Sequence, residues 1–85
     1  MFFVSSRNFE KEVAKLPLKI KSALRERLEI FQSQPFAPIL NNHQLHGSLK
    51  NYRSINISGD YRLFYEVVDD NTVRLMRVGT HSELY

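Results

Sequence analysis

The residues of this chain best suited to move a proton near neutral pH are His43, His46 and His81. Asp60 adds a carboxylate, while Arg62 and Arg77 add planar cationic forks that suit a phosphate. Cutting a phosphodiester through its own 2′-hydroxyl needs a base for that hydroxyl, an acid for the leaving 5′-oxygen and cationic donors for the phosphorane. His43, Asp60, Arg62, Arg77 and His81 supply those types. The histidines do not form a helical metal pair, and two of them fall among turn residues, so the set reads as metal-free. Each side chain also has an ordinary use: a strand arginine is commonly a surface ion-pair partner, and Tyr52, Tyr61 and Tyr65 suit half-buried packing as well as base stacking. Only the combination points to chemistry.

The chain that must hold these residues has 85 of them and no cysteine. Disulfides, thiolate catalysis and cysteine-bound zinc are excluded, which suits a reducing compartment. The length fits one domain, 1–85, with one modest core. Met1-Phe2-Phe3-Val4 is too short an apolar run for a signal peptide or a membrane span, and Ser5, Ser6, Arg7 and Asn8 follow at once. The expectation is a soluble cytoplasmic protein without a membrane partner. A formal charge of +3 and a pI near 9.5 bias it toward polyanions. Residues 1–42 hold seven of the basic and four of the acidic side chains, whereas 43–85 hold five of each. An anion site in the second half must therefore be built from individually placed arginines.

The elements that position them follow from periodicity. Phe2 to Val4 suits a short strand, and Ser5 or Ser6 can cap the helix after it. Phe9, Val13 and Leu16 mark the buried stripe of a first helix, with Glu10, Lys11, Glu12 and Lys15 on the other face. Pro17 separates it from a second helix over Leu18 to about Ser33, whose stripe is Ile20, Leu24, Leu28 and Phe31. Pro35 to Lys50 reads as a long loop. Three strands follow, Tyr52–Ile57, Tyr61–Val68 and Thr72–Val78, separated by Ser58-Gly59-Asp60 and Asp69-Asp70-Asn71 turns. The order β-α-α-β-β-β predicts an α+β fold: a helical hairpin on one face of a small, largely antiparallel four-stranded sheet.

The run His43-Gln44-Leu45-His46-Gly47-Ser48-Leu49-Lys50-Asn51-Tyr52-Arg53, the pair Asp60-Tyr61 and the ending Arg77-Val78-Gly79-Thr80-His81-Ser82-Glu83-Leu84-Tyr85 resemble toxins of the RelE/ParE superfamily, closest to the YafQ-type branch. The detailed likeness covers about half of the chain, and the helical hairpin fits the same fold. The resemblance implies that His43, Asp60, Arg77 and His81 form an mRNA-cleaving site, with Tyr85 implicated in it. The stretch Gly59 to Tyr65 is similar to the RelE branch, where the arginine matching Arg62 contacts the scissile phosphate. Lys50, Arg53, Asn56 and Tyr61 are further RNA-contact candidates. Asn56 stands where the YafQ branch has another active-site histidine. Asparagine can hydrogen-bond but cannot carry a proton at neutral pH, so His43, His81 or Asp60 must do the acid–base work. Tyr61 replaces a tryptophan and keeps a smaller stacking surface.

What the resemblance implies is a ribosome-dependent mRNA endonuclease toxin of a type II toxin–antitoxin system. It would need no cofactor or metal and would leave a 2′,3′-cyclic phosphate and a 5′-hydroxyl. His81 is the expected general acid, His43 or Asp60 the base or its orienting partner. Expected partners are a cognate antitoxin and mRNA in the ribosomal A site, with the toxin–antitoxin complex binding operator DNA through the antitoxin. The alternatives are a ParE-like toxin with a target other than RNA and a weakly active or non-catalytic co-repressor module.

Overall fold

Ser6 sets the first boundary. In the computed structural model, which describes residues 1–85, its Oγ accepts the Phe9 N–H at 3.0 Å and opens α1 (Arg7–Ala14) directly after β1 (Phe2–Ser5). Pro17 starts α2 (Leu18–Ser33), its carbonyl accepting from Ile20 and Lys21, each at 3.0 Å. The second half comprises β2 (His43–Gln44), β3 (Arg53–Ser58), β4 (Tyr61–Asp69), β5 (Thr72–Thr80) and a final helical turn, α3 (His81–Leu84). Single 3-10 turns, Pro38–Leu40 and Gly47–Leu49, flank β2. Gly59, at φ +53°, makes the tight connection between β3 and β4 in a conformation that costs a residue with a Cβ.

The strands lie in the order β1-β5-β4-β3-β2. β1 runs parallel to β5 and the other pairs are antiparallel. The expected four-stranded sheet is thus corrected to a five-stranded mixed one, and the helical hairpin is joined by a third helix. Both additions are short. Two strand residues and four helical residues are too few to show a period of two or of 3.6, and β2 is recruited by pairing with β3 rather than by its own pattern.

One face of the sheet takes the main core. Ile55, Ile57, Leu63, Tyr65 and Leu75 pack against Phe9, Leu24, Phe31 and Leu40. Leu75 and Val78 are three residues apart, yet both are buried in that core. They can be, because Met76 is an extra residue opposite the Phe64–Tyr65 step, and this bulge leaves Arg77 paired with Phe64 on the opposite face. β1 accompanies β5 only as far as Leu75. Beyond that point α1 closes the strand edge with side chains: Ser6 Oγ donates to the Met76 carbonyl at 2.9 Å, and Glu12 Oε1 accepts the Val78 N–H at 3.1 Å. No helix is long and apolar enough to cross a membrane.

Candidate active site

Register arranges the face turned away from α1 and α2. Directly paired residues share a face, so His43, Ser54, Phe64 and Arg77 form one row across β2, β3, β4 and β5. Asn56, Arg62 and Gly79 form the next row. With strands about 4.8 Å apart, the His43 and Arg77 backbones lie on the order of 14 Å from one another, so the row spans most of the sheet.

Phe64 is the post on which the surrounding segments are hung. It is 1% exposed and forms a second, smaller core with Leu45 and Leu84, bordered by Leu49 and Tyr52. Its ring stacks on Tyr52 at 6.4 Å and meets the edge of Tyr85 at 5.2 Å. Tyr85 in turn stacks on the His81 imidazole at 4.2 Å. Leu45 brings down the segment carrying His43, and Leu84 brings down the one carrying His81.

The Gly79-Thr80-His81 ending is largely a device for this docking. Thr80 caps α3 by accepting the Glu83 N–H at 3.3 Å, while the Glu83 carboxylate accepts the Thr80 N–H at 2.7 Å. The bond from the Thr80 backbone first, and one from its hydroxyl to Glu83 Oε1 at 2.8 Å second, hold the Glu83 carboxyl below its ordinary value. A Cβ on Gly79 would come within 3.2 Å of Glu83 Oε1 and 3.4 Å of Leu84 Cδ2, so glycine lets α3 lie close to β5. The His81 N–H donates to the Asp60 carbonyl at 2.9 Å, tying α3 to the β3–β4 turn.

Two further contacts bear on proton transfer and charge. His43 Nδ1 lies 2.8 Å from the Asn41 carbonyl. A carbonyl only accepts, so Nδ1 carries the proton there and the neutral ring presents Nε2 as its acceptor. Arg77 gives Nε and Nη2 to Glu12 at 2.9 and 2.8 Å, and this hydrogen-bonded pairing raises the guanidinium above its ordinary value.

A family model described as "Bacterial toxin of type II toxin-antitoxin system, YafQ" matches residues 2–85. The chain belongs to the YafQ toxin family. It is 34% identical over 58 residues to the mRNA interferase toxin YafQ of Escherichia coli (strain K12), a stretch that is 68% of this chain and 62% of that relative. A copper-bound mutant toxin from Helicobacter pylori superposes with a TM-score of 0.80 at 32% identity, covering 100% of this chain and 99% of the other. YafQ in the E. coli DinJ-YafQ toxin–antitoxin complex superposes with a TM-score of 0.78 at 28% identity, covering 98% and 94%. The likeness read from the loop and the Gly-Thr-His ending is borne out at the level of the family.

Within this YafQ-family fold, most of the expected residues border the Phe64 face. His43, Asp60, His81 and Tyr85 are exposed, and Arg77 is partly so. Arg62 folds back on the turn, with Nη1 donating to the Gly59 and Tyr61 carbonyls at 2.7 and 3.1 Å. Lys50 is exposed at the end of the loop, where its carbonyl accepts from the Gln44 amide. Asn56 Oδ1 is buried without a partner, as is the neighbouring Ser54 Oγ. Nowhere do three or more His, Asp or Glu side chains converge as metal ligands.

Two expected residues are not brought to this face. Arg53 shares the helix side with Ile55 and Ile57; its Nε donates to Asn42 Oδ1 at 2.9 Å and its guanidinium lies 5.4 Å over the Phe36 ring. Tyr61 is on the same side as Leu63 and packs against the main core. Their alternation with Ser54 and Arg62 sends them there. Conversely, three residues were not among the expected site: Phe64, Tyr52 and Glu12. Phe64 is adjacent to both Leu63 and Tyr65, which face the helices, so an apolar residue between them was the available sign that the far face is also covered. Tyr52 and Phe64, with Arg7, Asn8 and Arg77, line a cleft of about 440 Å³ beside the start of α1.

Proposed function

We propose that the chain is a toxin that cuts ribosome-bound mRNA, using the RNA's own 2′-hydroxyl as nucleophile. The observation that carries this reading is the docking of two segments on Phe64, one bearing His43 and the other His81 and Tyr85, in register with Arg77. His43 Nε2 takes the proton of the 2′-hydroxyl, whose oxygen attacks the adjacent phosphorus. Arg77 and Arg62 stabilise the charge that develops on the phosphorane oxygens. His81, protonated and stacked on Tyr85, gives its proton to the departing 5′-oxygen. The products are a 2′,3′-cyclic phosphate and a 5′-hydroxyl. The Asp60 carbonyl, which accepts the His81 N–H, holds the acid segment at the β3–β4 turn.

Two histidines of opposite role and two arginines complete this reaction without a metal ion. The copper-bound relative makes that a point to test, and cleavage by the purified chain is expected to survive excess chelator. The proposed protein partner is an antitoxin, like that in the E. coli complex, which would also carry the pair onto operator DNA. An open apolar groove of about 810 Å³ beside β1, with Phe2 67% and Val4 45% exposed, is the surface that supports a protein partner. Induced expression tests the catalytic reading: His81→Ala and Arg77→Ala should each abolish growth arrest, with cleavage down about 10²–10³-fold and the fold retained. Full toxicity in both variants would sink the assignment, and DNA damage without RNA cleavage would point to a ParE-like target instead.

A further inference from the structure

Glu12 lies on the polar side of α1, far from any expected site residue in sequence, yet its carboxylate accepts four hydrogen bonds from three donors of β5. Oε1 and Oε2 accept Arg77 Nε at 3.1 and 2.9 Å, Oε2 accepts Arg77 Nη2 at 2.8 Å, and Oε1 accepts the Val78 N–H at 3.1 Å. The backbone bond fixes the carboxylate to the strand, and the bidentate pair then fixes the plane of the guanidinium relative to it. Contacts of this kind set direction as well as attraction, because both groups are planar.

The chemistry of a guanidinium makes the choice of edge informative. It has two edges that can grip an oxyanion in parallel, one made by Nε and Nη2, the other by Nη1 and Nη2. Glu12 occupies the first. Nη1 has no partner within the chain, so the second edge is left as a ready fork. The other arginines of the sheet are not gripped through one whole edge by a carboxylate in this way. Arg62 turns its Nη1 to main-chain carbonyls, Arg53 is held by Asn42 and Phe36 on the helix side, and Arg74 gives its Nη1 to Glu66 at 2.5 Å.

We infer that Glu12 is a positioning residue for the cleavage reaction: it holds Arg77 by one edge so that the other receives the phosphate. The inference rests on the functional reading above and adds a residue to it. If Glu12 served only to close the edge of β5, glutamine would do as well, since its amide oxygen can still accept the Val78 N–H. A charged partner is needed only for the arginine.

The test is a double-mutant cycle in single-turnover cleavage of ribosome-bound mRNA, with the Arg77 Nε–H followed by NMR in the same proteins. Glu12→Gln should cut about 10-fold or more slowly at saturating RNA while keeping its melting temperature, and Glu12→Asp should recover part of the loss. In an Arg77→Ala background, Glu12→Gln should cost less than about 2-fold. The Arg77 Nε–H resonance should be resolved in the wild type and exchange-broadened in Glu12→Gln. Equal losses in both backgrounds, or no loss in either, overturn the positioning role. Arg77→Ala cutting at the wild-type rate would instead overturn the phosphate-binding role of Arg77 and the positioning role of Glu12 with it, and no cleavage by the wild type would overturn the functional reading itself, while the Nε–H resonance would still report whether Glu12 holds the side chain.

Discussion

The face of the sheet turned to α1 and α2 and the face turned away are made of alternate residues of the same strands, yet they are held together differently. The helix side rests on a cluster of eleven buried apolar residues, the other on a cluster of three, Leu45, Phe64 and Leu84. Full burial of each such side chain is worth about 1.5–3 kcal/mol, so the first cluster dominates folding. The second can do little more than dock two short segments. That division suits a site whose polar groups must stay reachable: the scaffold is stabilised on one side, and the proposed acid, base and cations are arranged on the other by one aromatic and a few caps.

If the two faces are separable in this way, substitutions should sort by face. Phe31→Ala, at a residue with no exposed surface, should cost about 3–5 kcal/mol and lower the urea midpoint of the whole domain. Leu84→Ala should cost less, about 2 kcal/mol, because a terminal helix can relax around the gap. Its effect should be local, with loss of amide protection confined to α3 and cleavage reduced at least 10-fold while the main transition stays cooperative. An unfolding shift as large as that of Phe31→Ala would show that the two clusters are one unit. Thr80→Ala removes only the cap of α3, worth about 1 kcal/mol, and should raise hydrogen exchange at Glu83 more than at any β5 amide.

The smallest effect concerns pH. The Glu83 carboxyl is held below its ordinary value of 4.5, so its contribution to docking α3 is complete above that value and is lost as pH falls through the lower, folded-state one. Docking of α3, followed through contacts between the Leu84 methyls and the Phe64 ring, should therefore be unchanged from neutrality down to mild acid and weaken only below the ordinary carboxylate range. Loosening that began near neutrality would contradict the Glu83 cap as its cause.

The hairpin of helices and the three long strands were legible because their buried residues repeat at 3.6 or at 2 over enough length, as in Ile20, Leu24, Leu28 and Phe31. The parallel pairing of β1 with β5 was not, since Phe2 to Val4 says strand but nothing about the neighbour. β2 and α3 were too short to register. The site residues came mostly from a resemblance confined to the second half, which is why Glu12 escaped. On its helix it is one more charge off the apolar stripe, and only the early end of β1 and the Met76 bulge bring β5 within its reach. Arg53 and Tyr61 show the converse: the motif includes them, but a period of two carries them to the helix side.

The central claim, that the Phe64 face cuts RNA, is met most directly by mapping mRNA 5′ ends on ribosomes after exposure to the wild-type chain beside His81→Ala. Discrete new ends bearing 5′-hydroxyls, with 2′,3′-cyclic phosphates on the upstream fragments, should appear with the wild type and vanish with His81→Ala. The same ends at the same yield in both proteins, or none in a wild type that still arrests growth, would contradict the account.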